Sequence, residues 1–205
     1  ITGEAEIFGQ VKNAYSKCQQ LGGAGALINR MVQKGFQAAK LIRHSTPIGQ
    51  GQINISNVAV DLSLKIFGSL DRVSALVIGT GEISEKTAKA LRSRGTQNFG
   101  IASHSLERAE SVAQEWGGTP HAVGELDSYL NGYDILISST NVEEPLLTKP
   151  LLERLHPARK NRPLFLVDLG LPRNVESACQ DLDNVYLYNL DDLAKIAQDN
   201  LSDRQ

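Results

Sequence analysis

The segment Val77-Ile78-Gly79-Thr80-Gly81-Glu82-Ile83-Ser84 restricts the possible folds of this chain more than any other. An apolar run enters a Gly-x-Gly-x-x-Ser turn, and helix-forming sequence follows. That order describes a buried strand, a tight turn and a helix, the start of a βαβ unit shaped to hold a dinucleotide. Gly79 permits the turn, and Gly81 lets backbone approach a pyrophosphate. The helix that follows offers unpaired N–H groups and the positive end of a dipole, with Glu82 and Ile83 among the candidate cofactor contacts. Ser84 stands where the pattern has a third glycine, and its small side chain still permits close strand–helix packing.

The surrounding sequence repeats the alternation. Strand-like runs are Ala75-Leu76-Val77-Ile78, Phe99-Gly100-Ile101-Ala102, Asp134-Ile135-Leu136-Ile137-Ser138, Leu164-Phe165-Leu166-Val167 and Val185-Tyr186-Leu187-Tyr188. Helical patterns over residues 85–94, 106–116 and 150–155 separate them. Continuous apolar strands alternating with helices predict a parallel sheet covered on both faces, an α/β, Rossmann-like doubly wound fold.

Before this region the pattern is helical. Ile7, Phe8, Val11, Ala14, Tyr15 and Cys18 recur at three- and four-residue steps up to Gly22-Gly23, and Leu27, Ile28, Met31, Val32, Phe36, Ala39 and Ile42 continue the periodicity. The prediction is an αα-hairpin, unable to bury two apolar stripes by itself. The breaker-rich residues 45–52 mark a domain boundary, followed by a short strand at 53–55 and a helix over 58–67. The expected organisation is therefore a helical segment at 1–52, a dinucleotide-binding domain at 53–190, and the start of a further helix at 191–205. The sequence begins at Ile1 without Met in the approach to a helix, so it is expected to be a piece of something longer.

Composition narrows the function classes. With 21 Lys+Arg against 23 Asp+Glu there is no basic surplus to drive non-specific nucleic-acid binding. The two cysteines, Cys18 and Cys179, form no CxxC or Cys/His cluster; this predicts no metal site and fits a reducing cytoplasm. No apolar run approaches the ~18 residues a membrane helix requires, and no signal peptide is evident.

The second strand ends in Ser103-His104-Ser105, with Arg108 following. An NAD site usually places a carboxylate there; two hydroxyls, an imidazole and a guanidinium suit a 2′-phosphate better, so NADP is favoured. Ser105 also reads as a helix cap, which does not exclude phosphate contact. Ser138-Ser139-Thr140 and Asp168-Leu169-Gly170 end further strands, where a doubly wound sheet presents ligand contacts; Ser139, Thr140, Asp168 and Gly170 are the candidates. No reaction centre is visible. Cys18 lies on an apolar helical face, Cys179 has no neighbouring base, and the four histidines are scattered.

Gly3-Glu4-Ala5-Glu6-Ile7-Phe8-Gly9-Gln10-Val11-Lys12 resembles the GE-x-QILGQVK motif of the glutamyl-tRNA reductase family. Residues 43–49 resemble its RTET-x-IG, residues 76–82 its LVIGAGE, residues 138–140 its SST, residues 167–174 its VDIAVPRD and residues 184–193 its NVYLYDIDDL. The resemblance runs through essentially the whole chain in the family's order. It implies NADPH-dependent reduction of glutamyl-tRNA to glutamate-1-semialdehyde, the first step of the five-carbon route to tetrapyrroles. In that family a Cys thiolate forms a thioester that hydride from the nicotinamide converts to the aldehyde. The nucleophile's SCNR-type motif is absent here, so no catalytic residue is assigned.

The resemblance further implies that Glu4 and Gln10 help hold the glutamyl group; taken alone, they read as a helix cap and an exposed helix face. Implied partners are glutamate-specific tRNA, the aminomutase that accepts the semialdehyde, and a second copy, since the family dimerises through C-terminal helices. Glu6 replaces the family's Gln, Ser45 its Glu, and Ser103-His104-Ser105 an Asn-Arg-Thr turn, leaving Arg108 and protonated His104 to read the 2′-phosphate.

Overall fold

A computed structural model describes residues 5–46 and 55–202. The chain divides into two compact units, at residues 1–53 and 54–205.

The first unit contains α1 (Ala5–Gln20) and α2 (Ala26–Ser45). Gly22 lies in the turn between them at φ +72°, a conformation that favours glycine. Phe36 of α2 meets Phe8 and Tyr15 of α1 edge-on, and the Tyr15 hydroxyl donates to Asn29 Oδ1 at 2.6 Å. Only one stripe of each helix is used in this way. Val11, Leu27, Ile28 and Met31 stay exposed, as expected of two apolar stripes in a lone hairpin. Cys18 is half-buried.

The second unit opens with α3 (Ile55–Phe67), followed by β1 (Ser74–Ile78), α4 (Glu82–Ser93), β2 (Asn98–Ser103), α5 (Leu106–Trp116), β3 (Thr119–Ala122), α6 (Leu126–Tyr129), β4 (Ile135–Ser138), α7 (Lys149–Leu155), β5 (Leu164–Asp168), β6 (Val185–Asn189) and α8 (Leu190–Ser202). The six strands are all parallel in the order β3-β2-β1-β4-β5-β6. Period-two alternation sends Ala75 and Val77 to one face, against α3, α4 and α8, and Leu76 and Ile78 to the other, against α6 and α7. Every residue of β4 and β5 is buried, which is why these strands carry no polar alternation.

Two expectations are corrected. The short strand at 53–55 is not found at Ile55, which already begins α3; residues 53 and 54 lie outside the described residues. Helix α4 starts at Glu82, three residues before the predicted 85, because Gly81 itself is its N-cap in extended conformation. One strand, β3, was not anticipated. Its residues Thr119-Pro120-His121-Ala122 form no apolar run, and proline is tolerated there because β3 is an edge strand.

A polar staple ties the strand starts opposite the fingerprint turn. Asp134 Oδ2 accepts from Ser74 N (3.1 Å), joining β4 to β1, and Arg159 donates to Tyr133 O (2.7 Å) and Pro163 O (2.9 Å), joining β4 to β5. Arg159 is buried with Asp134 at 3.4 Å. Burial and the charge of Arg162 push its pKa below the ordinary guanidinium value, while Asp134 opposes them.

Candidate functional site

The sheet order reverses between β1 and β4, and the crevice beyond the strand C-termini at such a switch point is where doubly wound sheets bind ligands. The structure brings the loops after β1, β2, β4 and β5 together there.

Gly79 is imposed by the fold. Its φ is +99°, and a Cβ on it would lie 2.3 Å from the Ser139 carbonyl oxygen and 2.9 Å from Thr140 Cγ2. Gly81 is not. Its φ is −80°, and an added Cβ would meet only Ser139 Oγ, at 3.9 Å. Nothing among the described residues needs glycine at 81, and the missing side chain leaves a shallow cradle before the α4 N-terminus. No side chain caps that terminus, so its first N–H groups remain available to an anion. This is the fit expected of a pyrophosphate.

The neighbouring fingerprint residues divide by role. Glu82 is exposed and pairs with Lys86 at 2.7 Å, whereas Ile83 packs into the core under the sheet. Ser84 is fully buried and its hydroxyl has no partner among the described residues. Its small size allows α4 to lie close to β1, which a larger side chain would prevent.

At the end of β2, Ser103 is half-buried, and His104, Ser105 and Arg108 are exposed. Ser105 caps α5, its Oγ accepting from Arg108 N at 3.3 Å. The Arg108 guanidinium reaches back over the first turn, its Nε donating to Thr80 Oγ1 at 3.4 Å. A cation therefore stands between the β1 and β2 loops, and no carboxylate ends β2. Sequence reasoning had not singled out Thr80, whose hydroxyl holds Arg108 in this position.

The loops after β4 and β5 are built around buried polar groups. Ser139 and Thr140 are half-buried. Asp168, almost fully buried, accepts from Gly170 N through Oδ1 (2.9 Å) and from Asn174 N (3.0 Å) and Val175 N (3.1 Å) through Oδ2. Both of its oxygens thus face the loop's own backbone. A Cβ on Gly170 would lie 2.5 Å from the Asn174 amide, so the glycine leaves room for that side chain. Asn174 itself lies within a motif the sequence analysis quoted, yet nothing in its spacing marked it as buried.

Gln10 is exposed on α1 in the first unit, and Glu4 lies outside the described residues. Among the described residues neither thiol is hydrogen-bonded to a His, Lys or Arg side chain. Burial pushes the Cys179 thiol up to about 11, with the charge of Glu176 adding to the effect, and its nearest acceptor is Leu147 O at 3.6 Å. Among the described residues no cluster of three or more His, Cys, Asp or Glu is placed to hold a metal, and no helix is long and apolar enough to cross a membrane.

Comparison with known proteins extends the geometry. The family described as Shikimate / quinate 5-dehydrogenase matches residues 61–196, and that described as Glutamyl-tRNAGlu reductase, N-terminal domain, matches residues 1–46. Glutamyl-tRNA reductase of Desulfotalea psychrophila is 39% identical over 204 residues, covering all of this chain and 48% of that protein. The structure of glutamyl-tRNA reductase from Methanopyrus kandleri superposes with a TM-score of 0.70 at 32% identity, over 98% of this chain and 51% of that one. The nucleotide binding domain of the Thermoplasma volcanium enzyme shares the fold, with a TM-score of 0.57 at 21% identity over 73% of this chain and 95% of that one. The chain spans about half the length of the curated relatives it matches.

Proposed function

Because the chain belongs to the Shikimate / quinate 5-dehydrogenase family over residues 61–196 and, through its whole length, to the glutamyl-tRNA reductases, we propose that it is the NADPH-binding part of a cytoplasmic reductase. The reaction of the whole protein is reduction of glutamyl-tRNA(Glu) to glutamate-1-semialdehyde. In this reading residues 1–52 belong to the substrate domain, with Glu4 and Gln10 helping to hold the glutamyl group, and residues 53–190 hold the cofactor. Residues 191–205 begin the helix through which two copies dimerise. The tRNA is the substrate, and an aminomutase receives the product.

The observation that carries the cofactor reading is Gly81, a glycine that no described residue requires, placed before an uncapped helix N-terminus. When bound, NADPH supplies hydride to an acyl carbon. The protein's own groups bind and orient. The Gly79-Thr80-Gly81 backbone and the α4 N–H groups would hold the pyrophosphate, and Ser139 and Thr140 would wall the crevice beside it. Ser103, His104, Ser105 and Arg108 would take the 2′-phosphate.

Isothermal titration of the chain with NADPH and NADH tests this directly. NADPH is expected to bind about tenfold more tightly than NADH, a difference of about 1.4 kcal/mol. Gly81→Asp, which puts a side chain and a negative charge into the cradle, is expected to weaken NADPH about 100-fold, or about 2.7 kcal/mol. Its thermal midpoint should stay close to that of the unaltered chain. Absence of NADPH binding by the unaltered chain would remove the cofactor reading.

Arg108→Ala separates phosphate reading from general affinity. It is expected to weaken NADPH about tenfold while leaving NADH within about twofold, since only NADPH carries the group the guanidinium addresses. Equal losses for the two cofactors would show that Arg108 merely supports the turn.

A further inference from the structure

One side chain joins the loops after β4 and β5. Asn174 is fully buried. Its Oδ1 accepts from Ser138 Oγ (2.9 Å), Thr140 N (2.8 Å) and Thr140 Oγ1 (2.9 Å). Its Nδ2 donates to Thr140 O (3.0 Å) and Pro172 O (3.2 Å). The amide can point only this way, because a backbone N–H must donate and the two carbonyls must accept. Its own backbone carbonyl accepts from Leu146 N and Leu147 N, so the residue also anchors the chain that leads to α7.

The clasp reaches the fingerprint turn in two steps. Thr140 is gripped from both its N–H and its C=O, and the preceding residue, Ser139, presents the carbonyl oxygen that lies against Gly79. Ser139 N donates to Ile78 O at 2.9 Å, closing the contact from the other side. Asn174, wholly enclosed, cannot touch a ligand in the crevice.

We propose that Asn174 is the positioning residue of this site: it fixes the 139–140 backbone over the Gly79-Thr80-Gly81 turn and thereby sets the affinity for the dinucleotide. This rests on the NADPH reading, and the test keeps the two apart. Asn174→Ala removes the amide and with it all five of these bonds, whereas Asn174→Asp, the residue of the glutamyl-tRNA reductase motif at this position, keeps the three acceptor contacts of Oδ1 and serves as the conservative variant. The charged groups around it are Asp168, which holds the residue-174 N–H, Arg173, paired with Asp191, and Glu176, which accepts from Lys149 N. The carboxylate of Asn174→Asp accepts three bonds at Oδ1, which favours its charged form against burial and Asp168.

Relative to the unaltered chain, Asn174→Ala should bind NADPH about tenfold more weakly, and Asn174→Asp should stay within about threefold. Hydrogen exchange of Asn174→Ala, without ligand, should show faster exchange at the Thr140 amide with Ile135, Leu136 and Ile137 still protected. Should Asn174→Ala fail to fold, Ser138→Ala removes one donor to Oδ1, and a loss of about threefold in NADPH affinity is expected. Unchanged affinity in Asn174→Ala, or equal deficits in the two variants accompanied by lost protection throughout the sheet, would overturn the proposal. If the unaltered chain binds no NADPH, the cofactor reading fails, and unchanged exchange at Thr140 in Asn174→Ala would separately refute the clasp.

Discussion

Gly79→Ala is expected to lower the unfolding free energy of the second unit by about 3 kcal/mol, through backbone strain and overpacking acting together. At φ +99° any Cβ is strained, and this one would meet the Ser139 carbonyl at 2.3 Å, a backbone atom between two paired strands with little room to move. Gly81→Ala is the matched control. Its φ of −80° suits any residue, and with the nearest atom at 3.9 Å the expected cost is under about 0.5 kcal/mol. Urea denaturation followed by the fluorescence of the single tryptophan, buried Trp116, measures both. Equal costs would mean that the two glycines do not divide between architecture and ligand as described.

The second large effect lies at the opposite ends of the strands, where they start. Arg159→Ala should destabilise by about 3–5 kcal/mol, the range for removing one member of a buried ion pair. The loss includes two charge-assisted bonds to the carbonyls of Tyr133 and Pro163, and it leaves those acceptors and Asp134 less well satisfied in a dry site. Arg162 lies equally close to Asp134, at 3.4 Å, but its side chain is 50% exposed. Solvent screens it, and Arg162→Ala should cost less than about 1 kcal/mol. The same denaturation experiment distinguishes them. Comparable costs for both arginines would show that the staple acts through surface charge rather than through buried bonds.

These two arginines illustrate what can be read from a sequence. In the run Arg154-Leu155-His156-Pro157-Ala158-Arg159-Lys160-Asn161-Arg162 every charge looks like surface, and only the packing of three strand starts buries Arg159. Asn174 was hidden for the same reason, since its partner Ser138 is 36 residues away. The strands flanking the switch point were legible because burial on both faces demands unbroken apolar runs, and α5 was found at its observed bounds from its cap and periodicity. Edge strand β3 was not legible, because an edge accepts Pro120 and needs no apolar run. The fingerprint turn could be located from its glycines, but not which of them the fold itself requires. That distinction depends on Ser139, which reaches the turn only through the pairing of β1 with β4.

That pairing also governs how the chain can acquire its structure. No two strands of this sheet are joined by a hairpin, and the central contact, Ser74 N with Asp134, closes over 60 residues. Loop-closure entropy must be overcome before any of these non-local bonds form, which slows folding relative to folds built from local contacts. On a ribosome, β1, α4 and β2 emerge first and can assemble a βαβ unit. The switch-point crevice cannot exist until β4 has followed and inserted on the other side of β1. The binding edge is therefore among the later parts of the domain to form.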